Sequence, residues 1–241
     1  MATQADSLDG LLQQGKVWQA TRPVMPQAES VSSGYPELDE MLPGRGWQPG
    51  ELVELLYDRE GSGELRMVLP ALAALCRREE DLAGKKGWLL WVDPPHIPYA
   101  PALAEAGIDL SRILVVRSNS RRDRLWCLEQ ALKSGCCSAV LGWLPAGQEN
   151  AVRRLQLAAS ESATSAFLFR PEACRSQSSA APCRILLQSR QQGSDITLLK
   201  RRGGWPQPAR RLLLGEEQIL PAVTPVVARP QPQPVQLRRV K

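Results

Sequence analysis

Apolar and polar positions alternate along the chain in two different rhythms, and the change from one to the other marks the elements. Near the start, Leu8, Leu11, Leu12, Val17 and Trp18 predict one small helix followed by an extended arm. Residues 51–57 (ELVELLY) form a continuous apolar stretch around two glutamates and predict a strand, ended by a glycine-containing turn at residues 58–63. Leu65, Val68, Leu69, Leu72, Ala73 and Leu75 then recur at helical spacing. Residues 87–92 (GWLLWV) are apolar enough for a strand covered on both faces. Further on, the pattern predicts helices over residues 100–106, 124–134 and 150–160, the last with Val152, Leu155 and Ala159 on one side. It predicts strands over residues 113–117, 139–144, 166–169, 184–188 and 196–200. Strands alternating with helices imply an α/β fold with a mainly parallel central sheet flanked by helices and joined by right-handed crossovers. After Pro221, the prolines at 225, 230, 232 and 234 carry no periodicity and predict an extended or disordered tail. The chain thus divides into an N-terminal helix and arm (1–30), a core (31–215) and a proline-rich basic tail (216–241).

Composition narrows the class. The chain has 241 residues, 43% of them hydrophobic and 23% charged, ordinary usage for a domain with a sizeable core. No apolar run reaches the roughly 18 residues of a membrane span, and MATQADSLDG lacks the order of a secretory signal, so a cytoplasmic protein is expected. The six cysteines form no CxxC pair and have no histidine beside them, which argues against a metal site and for reduced, buried thiols. Charge is uneven: residues 1–169 carry net −4 and residues 170–241 net +9. A basic C-terminal third suits either a polyanionic partner, nucleic acid foremost, or a solvated basic face. Trp88, Trp91, Trp126 and Trp143 are expected in the core, Trp47 and Trp205 on contact surfaces, and His96 as a turn residue.

The strand, glycine turn and helix at residues 51–75 invite comparison with a phosphate-binding loop, G-x-x-x-x-G-K-[ST]. The eight positions hold Asp58, Arg59, Glu60, Gly61, Ser62, Gly63, Glu64 and Leu65. Gly63 fits. Asp58 stands for the first glycine, Glu64 for the lysine and Leu65 for the hydroxyl residue. A carboxylate in the lysine's place repels a triphosphate, so the turn reads as a tight connection before a packed helix.

Several segments in order resemble the RecA-like recombinase core: Gly34, Leu38, Asp39, Leu42, Gly50 and Glu54 before the loop, and WVDPPHIPYAPALAEAGIDLSRILV after it. More narrowly, PPHIPYAPALAEAGIDLSRILVV, LEQALKSGCCSAVLGW, RRLQLAA and LLKRRGG resemble ImuA, in the RecA/SulA-like family. The resemblance implies a RecA-like core with a degenerate phosphate loop. Pro95 stands where that family carries its catalytic glutamate, and Gly142 where it carries a metal-supporting aspartate. With both lost, along with the lysine and hydroxyl, no phosphoryl-transfer mechanism is left and neither enzyme activity nor a cofactor is expected. The resemblance further implies an accessory role in damage-inducible translesion DNA synthesis. Its partners would be ImuB, RecA, indirectly an error-prone DnaE-type polymerase, and DNA, with nucleoid association after damage. Lys200 and Arg202, flanking Arg201, match a Lys-x-Lys pair that reaches a neighbouring subunit's ATP, while Arg238, Arg239 and Lys241 end the tail as partner or DNA contacts. The alternative within the same group is a SulA-like inhibitor of the division GTPase FtsZ, which requires an apolar and acidic binding surface.

Overall fold

Residue burial decides the architecture. In the computed structural model, which describes residues 30–77, 87–191 and 193–214, strand β1 (Leu52–Tyr57) is buried at every position. Only a strand covered on both faces can be so, and β1 lies inside an eight-stranded sheet. The other strands are β2 (Trp88–Val92), β3 (Ile113–Val116), β4 (Cys137–Trp143), β5 (Ser165–Pro171), β6 (Cys183–Ser189), β7 (Ser194–Lys200) and β8 (Gln207–Leu212). Their order across the sheet is β3-β2-β4-β5-β1-β6-β7-β8. Helices α1 (Pro36–Met41), α2 (Leu69–Arg77), α3 (Ala100–Glu105), α4 (Arg121–Lys133) and α5 (Glu149–Ser162) cover it. None of the described helices is long and apolar enough to cross a membrane.

Alternation along the strands sorts the core into two layers. Val53, Leu55 and Tyr57 join Trp91, Phe167 and Phe169 under α1 and α2, where Leu38, Met41 and Leu72 close the packing. On the opposite face, Leu52, Val140 and Leu168 meet Leu128 and Leu132 of α4 and Val152 and Leu155 of α5. Helix α2 begins at Leu69, four residues later than the apolar spacing predicts. Pro70 explains the delay, because proline fits the first turn of a helix but not its interior.

The expected RecA-like core with a mainly parallel sheet is corrected here to a mixed sheet. Strands from β3 to β6 pair in parallel, but β6–β7 and β7–β8 are antiparallel. The cause is connection length. Residues 190–193 and 201–206 are far too short for a parallel crossover, which needs about a dozen residues or more, and they close hairpins instead. Strand β8 (QPARRL) carries a proline and two arginines with four exposed positions in succession, so no apolar pattern announces it. Those residues suit an edge strand that must not recruit another chain. The expected N-terminal helix and arm (1–30) fall outside the described residues except for Ser30, as do residue 215 of the core and the whole tail (216–241).

One carboxylate ties the centre of the sheet together. Glu54 shares its face of β1 with Leu52 and Leu56 and is fully buried. Arg170 of β5 donates from Nη1 to Glu54 Oε1 at 2.6 Å, and Arg184 of β6 from Nε to Oε2 at 2.5 Å. Arg184 spends its remaining donors on the Cys174 and Gln177 carbonyls, and Arg170 reaches Gln177 Oε1. Two guanidiniums therefore depend on a single buried anion. We expect Glu54→Gln to lower stability by about 3–5 kcal/mol, a large part of what a domain of this size possesses. Urea unfolding would show a fall in midpoint at unchanged slope. Replacing Glu54, Arg170 and Arg184 together with apolar residues of similar volume should cost much less, and an equal loss in both variants would show that charge pairing is not what matters there.

Candidate functional site

The loop that leaves β1 is closed by its own side chains. Asp58 accepts from the backbone N–H and the hydroxyl of Ser189, both at 3.0 Å, and from the Arg59 N–H at 2.9 Å. Burial works to raise its pKa, but these hydrogen bonds outweigh it and hold the carboxyl below the ordinary aspartate range. Glu64 is buried and accepts from Gly61 N–H at 3.0 Å and from the Ser62 hydroxyl at 3.4 Å. Gly63 sits at φ +102°, and a Cβ there would lie 2.6 Å from Leu214 Cδ1, so only glycine fits. Leu65 packs against the core instead of facing the loop. The Gly61 N–H and the Ser62 hydroxyl, two donors that could face an anion, are thus engaged by an internal carboxylate.

Beyond β2 the chain turns at Asp93, held at φ +50°. Its carboxylate accepts from Ser118 N–H at 2.7 Å, from the Ser118 hydroxyl, and from Arg124 Nε at 2.5 Å. Burial opposes ionisation here too, and Ser118 and Arg124 overcome it, leaving the pKa lowered. Pro95 is exposed two residues on. Gly142 is a packing position: a Cβ there would stand 2.8 Å from Leu128 Cδ2 of α4. Pro95 thus supplies no acid or base, and Gly142 serves packing against α4.

Two cavities flank this turn. One, of about 260 Å³, has Trp91 and Trp143 in its lining together with Gly63, Glu64, Pro95 and Tyr99. The other, of about 330 Å³, is apolar and bounded by Ile97, Leu103, Leu110, Ile113 and Val115. It lies along β3, the sheet edge, whose residues are only partly covered because no strand lies beyond them. Ile97 is 87% exposed and Tyr99 54%, with Leu110, Leu114 and Val115 each above 40%. Such a concentration of uncovered apolar side chains marks a contact surface. The sequence does not reveal it, because an edge strand and a central one read alike in an apolar run.

Among the described residues of the basic C-terminal third, two arginines are buried and most of the others are paired at the surface. Arg170 and Arg184 are buried on Glu54. Arg190 and Arg211 share Asp195, and Arg210 meets Glu40. Lys200 ends β7 and donates to the Ser179 carbonyl, Arg201 donates to the Met41 carbonyl, and Arg202 pairs with Glu51 at 3.1 Å. The strand stops at Lys200, so Lys200 and Arg202 are not alternate residues of one strand and have separate partners. Arg238, Arg239 and Lys241 lie outside the described residues. Among the tryptophans, Trp47 is buried edge-on against Phe167, contrary to expectation, and Trp126 is 61% exposed instead of buried. Trp205 is exposed in the β7–β8 turn as expected. Of the thiols, Cys137, Cys174 and Cys183 are buried, Cys76 and Cys127 are partly covered, and Cys136 is exposed. Burial pushes the Cys137 thiol up to about 12, which leaves it a poor nucleophile.

Comparison with known proteins replaces the resemblance drawn from sequence segments. The family described as "Cell division inhibitor SulA" matches residues 50–166. The cell division inhibitor SulA of Yersinia enterocolitica is 30% identical over 122 residues, covering 51% of this chain and 68% of the relative. That of Edwardsiella piscicida is 28% identical over 164 residues, covering 67% and 91%. A crystal structure of SulA from Pseudomonas aeruginosa aligns with 49% of this chain and 97% of its own, at 23% identity and a TM-score of 0.40. The assignment to ImuA is overturned by the family match and these relatives. With it go the translesion-synthesis role and the partners ImuB, RecA, DnaE-type polymerase and DNA. The RecA-like fold class gives way to the SulA family and its mixed sheet. Most of the segments that suggested ImuA lie within residues 50–166, the span that matches SulA. This chain belongs to the SulA family of cell division inhibitors.

Proposed function

We propose that the protein inhibits cell division as a binding protein, without catalysis, by occupying FtsZ subunits and keeping them out of polymers. The observation that carries this reading is the 30% identity to a cell division inhibitor across 68% of that protein's length. The surface along β3 supplies what such a role requires. Ile97, Leu110 and Val115 border one apolar depression, and Tyr99 projects beside it. Aromatic and aliphatic side chains uncovered in this way supply binding energy when a partner excludes water from them. The acidic side of the surface is the loop after β1, where Glu60 is half exposed next to His96.

Absence of catalysis is supported by the loop itself. A triphosphate approaching Gly61 and Ser62 meets the Glu64 carboxylate already bound to them. Inhibition would then follow from stoichiometry alone: each bound FtsZ subunit is one fewer for assembly.

Sedimentation of FtsZ with GTP tests the proposal. Purified protein should reduce the pelleted fraction in proportion to its concentration, and expression in rod-shaped bacteria should produce filaments. Full assembly of FtsZ in the presence of excess protein would refute the reading. Val115→Asp and Ile97→Asp place charge on side chains already exposed to solvent, so folding should survive, while affinity for FtsZ falls by about tenfold or more. Isothermal titration with Mg-ATP is expected to give no binding heat, and binding tighter than about 100 μM, roughly 5.5 kcal/mol, would contradict the account of the loop.

A further inference from the structure

The two margins of the sheet are finished differently. Strand β8 carries Pro208, and its Arg210 and Arg211 are matched to Glu40 and Asp195, devices that keep an edge from recruiting another chain. Strand β3 (ILVV), at the other margin, has neither proline nor charge. Its neighbour β2 aligns Leu90 with Leu114 and Trp91 with Val115. Leu90 and Trp91 point to opposite faces of the sheet, and both are buried because β3 and β4 flank them. Leu114 is 41% exposed and Val115 44%, one on each face. A partner resting on one face would cover one of them. Covering both takes a body in the plane of the sheet, beside the strand.

The backbone of that margin agrees. Asp93 N–H donates to the Val116 carbonyl at 2.9 Å, so Val116 turns its polar groups towards β2 and Val115, one residue before, turns its own outwards. The N–H and carbonyl of Val115 meet no strand on that side among the described residues. The side chains of Ile113, Val115 and Arg117 share one face and line the apolar depression of about 330 Å³. Arg117 closes one end of it. Its guanidinium donates to the Pro94 and His96 carbonyls and has no carboxylate partner among the described residues, with Arg121 and Arg122 exposed beyond it.

We propose that β3 takes up an extended segment of FtsZ as a further strand of the sheet. Main-chain hydrogen bonds to Val115 hold the segment, its alternate apolar side chains enter the depression, and a carboxylate among them meets Arg117. Strand addition at an open edge draws affinity from the backbone and selectivity from alternate side chains, and β3 offers both. The charge at Arg117 fixes the register, because sliding the segment by one residue would carry its carboxylate to the other face. The inference rests on FtsZ being the partner and specifies how it is held.

Hydrogen exchange at the Val115 amide of the full chain, with FtsZ kept unpolymerised by GDP, provides the test. Saturating FtsZ should slow that exchange by about tenfold or more. Val115→Pro and Val115→Ala both replace the valine side chain, but only proline removes the outward N–H, which β2 does not use. Val115→Pro should therefore bind FtsZ about fivefold more weakly than Val115→Ala. Should the proline variant fail to fold, exchange in the unmodified chain still decides. A complex in which Val115 exchanges as fast as in the free protein, or equal affinity of two folded variants, would overturn the proposal and leave FtsZ as the partner. No complex at all would remove both. Protection already present in the free chain and lost on tenfold dilution would overturn it differently, by assigning the edge to a second copy.

Discussion

Buried charge at the middle of the sheet governs the rest of the structure. Glu54 lies on the most central part of β1, with an arginine from each neighbouring strand drawn onto its two oxygens. Moving β1 by one residue in register would turn Glu54 into the opposite apolar layer and strand both guanidiniums, so the pairing of β5, β1 and β6 has a single favourable alignment. That alignment fixes where β1 ends. Because Tyr57 is held opposite Pro171 and Leu187, the loop after it emerges beside the end of β6, where Ser189 is in reach of Asp58. The closed loop is therefore a consequence of strand register as much as of its own sequence.

Much of the fold was legible because apolar periodicity reports burial. The stretch at residues 51–57 and the run at 87–92 are interior strands for the reason their composition suggests: no polar face is needed when both faces are covered. Position within the sheet was not legible. The run at 113–117 is equally apolar, yet as the edge strand β3 it leaves Leu114 and Val115 uncovered. Strand β8 escaped for the opposite reason, its exposed arginines and proline having nothing to alternate with. Net charge by segment left a polyanion surface and a solvated basic face open; Arg170 and Arg184 are in fact interior partners of Glu54, and several others are exposed arginines matched to acidic side chains. Counting charges cannot distinguish a basic face from arginines dispersed among partners, because pairing is set by three-dimensional proximity.

The same limit explains why the resemblance chose the wrong branch of its group. The segments that suggested ImuA lie in β3, α3, α4, β4, α5 and the end of β7, which are scaffold elements. What distinguishes one scaffold protein from another is which side chains remain uncovered, and that depends on edges and turns. Here the uncovered apolar side chains gather along β3, beside a loop whose Glu64 carboxylate is turned inward.

The closed loop also shows how one carboxylate can make a turn self-sufficient. A lysine in the position of Glu64 would extend a cation towards incoming phosphate. The glutamate instead folds back and takes the Gly61 and Ser62 donors for itself. Once those donors are satisfied the loop has no need of an anion, and its rigidity no longer depends on one. Gly63, at φ +102°, lets Leu214 lie against the backbone, where a Cβ would stand 2.6 Å from Leu214 Cδ1. That contact anchors the last described residue beside the aromatic cavity. The loop is thereby a packed support for the end of the described chain, held by its own carboxylate and by an aliphatic contact.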